Sequence, residues 1–125
     1  MNVVDSSGWI EYFTEGQNVS FFVPPIQNPT RLIVPTICIY EVFKRLLVER
    51  DEDSALLAVG FMAHGQEVEL DRKIAIEAAQ ISRETKLAMA DSIILATARL
   101  RNATLWTQDE HFKDLNGVKY IEKKY

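Results

Sequence analysis

The chain has 125 residues, of which 47% are hydrophobic, and a formal net charge of −4 from 18 acidic and 14 basic side chains. This is an ordinary globular balance that fits a single domain, residues 1–125. It excludes a basic coat for nucleic acid, a disulfide framework or multi-cysteine zinc site (Cys38 stands alone), and a membrane span of ~18 unbroken apolar residues.

With no basic n-region at its start, the chain reads as a cytoplasmic protein without a signal peptide. Met1 to Val4 is a short apolar run ending at Asp5-Ser6-Ser7-Gly8, as for a buried strand feeding a turn. Ser6 and Ser7 are expected to cap a helix through Trp9, Ile10, Tyr12 and Phe13. Gly16 to Thr30 is hard to read, and Pro24, Pro25 and Pro29 oppose a long helix through it. Leu32-Ile33-Val34 predicts a second buried strand, stopped by Pro35. Thr36 is the expected N-cap of a helix to about Arg50, with Ile39, Val42, Phe43, Leu46 and Leu47 at helical spacing.

A further helix is predicted from about Asp53 to Ala63, carrying Leu56, Leu57, Val59 and Phe61 and ended by His64-Gly65. Val68 and Leu70 alternate with Glu67 and Glu69, as in a short strand. Asp71 caps a helix with Ile74, Ala78 and Ile81 on one face. Leu87 to Leu100 is apolar nearly all round, as for a helix in the domain centre, and Asn102 can end it in the left-handed conformation. Thr104 to Thr107 and Val118 to Ile121 read as strands. Strands alternating with helices predict an α/β fold, a mostly parallel sheet between two layers of helices.

Four carboxylates stand out. Asp5, Glu41 and Asp91 are each the lone charge in an apolar stretch, and Asp109 follows the apolar strand at Thr107. Charged side chains are seldom buried unpaired. Asp5 and Asp109 each come just after the carboxyl end of a predicted strand, where open α/β sheets bind ligands. Glu41 lies a little over one turn into its helix, and Asp91 begins the central one, so all four can meet at one sheet edge. Asp5 and Asp91 also suit helix N-caps and Asp109 a turn; Glu41, inside a helix, suits neither. Clustered carboxylates repel by about 4 kcal/mol per close pair at ~4 Å, which calls for protonation or a cation. All-oxygen ligands favour Mg²⁺, or Mn²⁺, over zinc, and no Cys or His is near enough in the pattern to soften the set. Such a cluster fits hydrolysis of a phosphodiester.

These residues resemble a PIN-domain ribonuclease, and most of all the VapC toxins of toxin–antitoxin pairs. The likeness lies in Val3-Val4-Asp5-Ser6-Ser7, in Pro35-Thr36 through Tyr40-Glu41-Val42, in Ala90-Asp91-Ser92-Ile93-Ile94-Leu95-Ala96-Thr97-Ala98, in Leu105-Trp106-Thr107-Gln108-Asp109-Glu110-His111-Phe112 and in Leu115-Asn116-Gly117-Val118. It covers about half the chain, and Gly16 to Thr30 departs from the family's pattern. The resemblance implies a PIN-like three-layer α/β/α sandwich and a Mg²⁺-dependent endoribonuclease that cleaves cellular RNA (tRNA, rRNA or mRNA). It implies an acidic quartet at Asp5, Glu41, Asp91 and Asp109, with Asp5 and Asp91 at the positions most firmly assigned to metal. Ser6 and Thr107 match polar supporting positions, and Asp114 is a possible supplement to Asp109. It also implies a VapB-like antitoxin partner, a homodimer and a toxin–antitoxin hetero-oligomer.

Lys44 and Arg45, one turn beyond Glu41, are candidate RNA contacts, with Lys86 a further one. Phe43, Leu46, Leu47, Leu56, Leu57 and Phe61 are candidates for a partner groove. Two rival readings are an RNA-processing PIN nuclease without a toxin role and a phospho-accepting receiver module. The receiver wants an adjacent acidic pair after its first strand, whereas Asp5 stands between Val4 and Ser6.

Overall fold

A computed structural model describes residues 1–125. Five short strands form one sheet: β1 (Asn2–Val4), β2 (Leu32–Pro35), β3 (Gln66–Val68), β4 (Thr104–Thr107) and β5 (Val118–Tyr120). Their spatial order is β3-β2-β1-β4-β5, and all four pairings are parallel. Six helices flank the sheet: α1 (Ser6–Phe13), α2 (Val19–Ile26), α3 (Thr36–Glu49), α4 (Glu52–Met62), α5 (Arg72–Thr85) and α6 (Met89–Leu100). α3 packs on α4 and α5 on α6. The α/β/α sandwich expected of the sequence is the fold observed. A receiver-type sheet has the order 2-1-3-4-5, so the order seen here rules that rival out.

The core is built from the runs that read as buried strands and from α6. Val3, Val4, Ile33, Val34 and Leu105 are buried in the sheet, and every residue from Ser92 to Ala98 is buried in α6. α5 buries the expected stripe of Ile74, Ala78 and Ile81, and Asn102 takes φ 52° after α6. No helix is long and apolar enough to cross a membrane.

Several local expectations are corrected. Asp5, not Ser6 or Ser7, caps α1, accepting from the Gly8 N–H at 2.9 Å. Pro35 takes the N-cap position of α3, which leaves Thr36 as the first helical residue with no side-chain cap. α6 begins at Met89 rather than Leu87, and Leu70 is exposed beyond β3. α2 forms despite Pro24 and Pro25 in its last turns. Each proline removes one N–H donor, and burial of Phe22, Pro25 and Ile26 holds the short helix in place. α4 buries Ala55, Ala58 and Met62, while Leu56 and Leu57 face outward. Small residues let α4 approach α3 closely, so its bulky residues are the ones left outside.

Strand order makes β1 the switch point: its chain connections leave in one direction to β2, while β4 lies on the other side. Ligands of open α/β sheets bind in the crevice at the carboxyl ends there. The register pairs Val4 with Trp106, and the Asp5 N–H donates to the Trp106 carbonyl at 3.1 Å. Asp5 and Thr107 are thereby set side by side at this crevice.

Candidate metal centre

Each acid reaches the crevice by a different route. Asp5 leaves β1 as the cap of α1, and Asp109 follows β4 as the cap of a short 3-10 turn, Glu110–Phe112. Glu41 projects from the second turn of α3, and Asp91 from the first turn of α6. All four line one open cleft of about 390 Å³, together with Ser6, Ser7, Tyr40, Lys44 and Arg45.

Asp5 is only 2% exposed and is held on both oxygens. Oδ1 accepts from Ser7 Oγ at 2.8 Å and from the Gly8 N–H at 2.9 Å; Oδ2 accepts from Thr107 Oγ1 at 2.6 Å and from Ser7 Oγ at 2.9 Å. Thr107 Oγ1 also accepts from the Asp109 N–H at 2.9 Å, so one buried hydroxyl ties two of the acids together. Ser6 Oγ donates to Glu41 Oε1 at 2.6 Å. Ser6 and Thr107 therefore sit where supporting residues were expected, and Ser7 joins them.

The electrostatics resist four charges. Burial pushes Asp5 up to about 7 against the hydrogen bonds from Thr107, Gly8 and Ser7, which pull it down, and Asp109 adds repulsion. Asp91 is raised to about 6, by burial first and then by the charges of Asp109 and Glu41. Beneath the cleft the Cys38 thiol is fully buried and pushed well above its ordinary range by burial, so it is an inert core residue.

A cation relieves this repulsion. The donor set fits a hard divalent ion: carboxylate oxygens from several elements converge on one cleft. Ligand atoms of Asp91, Asp109 and His111 lie within 4.8 Å of one another. The sequence pattern puts no His near enough to join the acids. Instead the His111 Nδ1 lies 2.9 Å from Asp109 Oδ1, which also accepts the His111 backbone N–H at 2.9 Å. The tight turn after Asp109 brings His111 back beside Asp109 and Asp91, at the edge of the cleft. The carboxylates suit Mg²⁺ or Mn²⁺, and an imidazole beside them is a ligand of transition metals rather than of Mg²⁺. Asp5, with four hydrogen bonds, stands beside this trio rather than in it.

The basic rim is uneven. Lys44 and Arg45 both line the cleft, but Arg45 is paired with Glu49 on the next turn. Lys44 makes no ion pair and lies 5.8 Å from the Tyr40 ring centre. Lys86, the left-handed cap of α5, and Asp114 do not line the cleft.

The expected partner groove divides in two. Leu46, Leu57 and Phe61 line one apolar groove with Tyr12, Phe13 and Ala58. Phe43 and Leu47 line a second with Ile39 and Tyr40, and Leu56 belongs to neither.

A family model described as "PIN domain" matches residues 3–118. No curated protein matches the sequence significantly. Among solved structures, the chain superposes on one from a toxin–antitoxin complex of Klebsiella pneumoniae with TM-score 0.80 and 22% identity, covering 95% of this chain and 96% of the other. A chain of DNA-bound VapBC from Salmonella typhimurium gives TM-score 0.76 and 18% identity, covering 98% of both chains. A sarcin–ricin-loop-cleaving VapC toxin of Mycobacterium tuberculosis gives TM-score 0.75 and 12% identity, covering 90% and 92%. At these identities the likeness is one of fold.

Proposed function

Because the chain belongs to the PIN-domain family, we propose that it is a Mg²⁺-dependent endoribonuclease and the toxin of a toxin–antitoxin pair. The observation that carries this reading is the meeting of Asp5, Glu41, Asp91 and Asp109 in one cleft at the carboxyl edge of the sheet. Fold likeness to chains described as VapC toxins and toxin–antitoxin complexes supports the toxin role.

Asp5, Glu41, Asp91 and Asp109 would hold the ion, with His111 as an accessory donor. A divalent ion there supplies positive charge toward the phosphodiester oxygens and lowers the pKa of the attacking water. Thr107 and Ser7 keep Asp5 in one orientation, and Ser6 does the same for Glu41. Lys44 offers the free cation for a flanking RNA phosphate, with Arg45 behind it. The whole chain acts as one domain in the cytoplasm. The two apolar grooves would take a VapB-like antitoxin segment and a second copy of the chain.

The test is expression of the wild-type chain and of Asp91→Asn in a host lacking the partner, followed by sequencing of RNA 5′ ends. Growth arrest with new discrete ends for the wild type alone supports the proposal. New ends without arrest favour an RNA-processing nuclease. No new ends, or the same ends from the variant, would overturn the nuclease reading.

A further inference from the structure

One buried acid stands outside the cleft. Glu11 in α1 is 9% exposed yet makes no ion pair. Its carboxylate accepts from the Asn18 backbone N–H at 2.8 Å and from Gln108 Nε2 at 3.3 Å. The side chain of Asn18 donates in turn to Gln108 Oε1 and to the Glu122 carbonyl, each at 3.0 Å. The neighbouring α1 and α2 cap thus close, through buried polar groups, on two segments distant in sequence: the link after β4 and the chain at Glu122. Gly16 completes the arrangement by close approach. A Cβ there would lie 2.2 Å from the Glu11 carboxylate, so a side chain would displace the loop or the acid.

A carboxylate buried without a cation is costly, and an apolar residue would fill the same space. What the network touches gives it a use. Gln108 lies between Thr107, whose hydroxyl holds Asp5, and Asp109 of the cleft. Its amide also reaches the Ser7 carbonyl at 3.4 Å.

We propose that Glu11 is a positioning residue: by anchoring Gln108 it fixes the 107–109 segment, so that Thr107 stays on Asp5 and Asp109 stays facing Asp91. The proposal rests on reading the cleft as the metal site of a nuclease. It extends that site to a side chain that touches neither ion nor RNA.

Glu11→Gln keeps the volume but sets an NH₂ group against one of two converging donors, which leaves a buried donor unmatched. In the exchanged pair, Glu11→Gln with Gln108→Glu, the amide donates to the carboxylate across the same contact and Asn18 keeps its acceptors, while the contact to the Ser7 carbonyl is lost. Gln108→Ala cuts the link from the other side and leaves Glu11 in place. Two readouts apply: hydrogen exchange at the Asp109 and His111 amides, and Mn²⁺ affinity by calorimetry.

Glu11→Gln and Gln108→Ala should each speed exchange at those two amides about tenfold or more relative to the α6 amides. Each should also weaken Mn²⁺ binding by about 10–100-fold, and the exchanged pair should bring the exchange rates most of the way back to wild type. Exchange at the two amides that is unchanged, or that rises only in step with α6 and β1, would overturn the proposal. If the wild-type chain took up no Mn²⁺, the nuclease reading would fall, and the exchange pattern would still decide the role of Glu11.

Discussion

Thr107 donates a 2.6 Å hydrogen bond to Asp5 across a separation of 102 residues. The bond joins the ends of the two strands at the switch point of the sheet, and the same hydroxyl receives the Asp109 N–H. Thr107→Val keeps the shape and removes both bonds. Because this hydrogen bond pulls the Asp5 pKa down, its loss makes the ionised acid still less favourable. Affinity for Mg²⁺ and the cleavage rate should fall by about 10–100-fold. Thr107→Ser should recover most of both, as measured by calorimetry and RNA cleavage side by side.

Stability should depend on pH in the metal-free chain. An unfolded Asp titrates near 3.9, whereas Asp5 is raised to about 7 and Asp91 to about 6. Between these limits the folded state holds protons that the unfolded state has released, so stability falls as pH rises from about 4 to about 7. The loss for Asp5 is on the order of a few kcal/mol. Thermal melts in EDTA should show a falling midpoint across this window. Added Mg²⁺ should raise the midpoint more at pH 8 than at pH 5. A midpoint for which Asp5→Asn removes none of this slope would contradict the assignment.

The two rim cations should not be equivalent. Arg45 is engaged by Glu49 and Lys44 is not ion-paired. Lys44→Ala should weaken RNA binding and reduce the salt slope of log K by about 1. Arg45→Ala should do less. Neither substitution should change Mn²⁺ affinity by more than about threefold, since neither side chain offers a ligand atom to a cation. Filter binding at several salt concentrations separates these outcomes.

Leu57 is 77% exposed at the lip of an apolar groove. Leu57→Glu should leave the thermal midpoint nearly unchanged, because surface substitutions stay within about 0.5 kcal/mol. It should disrupt binding of the antitoxin, read as loss of co-purification when both chains are co-expressed. A lowered melting point with binding intact would show that Leu57 serves the fold instead.

The elements legible in the sequence were those whose burial follows from periodicity. β1 and β2 read as short apolar runs, and α6 as a helix apolar on every side. The acids were legible because each interrupts such a run. The contributions of His111, Ser7 and Glu11 were not. His111 folds back onto Asp109 through a tight turn, and Ser7 acts through a hydroxyl that looks like any cap residue. Glu11 looks like the polar face of an amphipathic helix until Asn18 and Gln108 close over it. α4 misled for another reason: its buried face is Ala55, Ala58 and Met62, while Leu56 and Leu57 point to solvent. In α2, the prolines argued against a helix that tertiary burial stabilises.

If the cleft of Asp5, Glu41, Asp91 and Asp109 cuts RNA with a divalent ion, cleavage needs both the ion and Asp91. The most direct test incubates the purified chain with a structured RNA in Mg²⁺, in excess EDTA, and in Mg²⁺ with Asp91→Asn, then maps the new 5′ ends. Discrete ends are expected in the first reaction, falling by more than about 100-fold in the other two, at least the upper range for a residue that only supports a metal ligand. The same ends at a similar rate in EDTA, or from a folded Asp91→Asn variant, would contradict metal-dependent cleavage in this cleft.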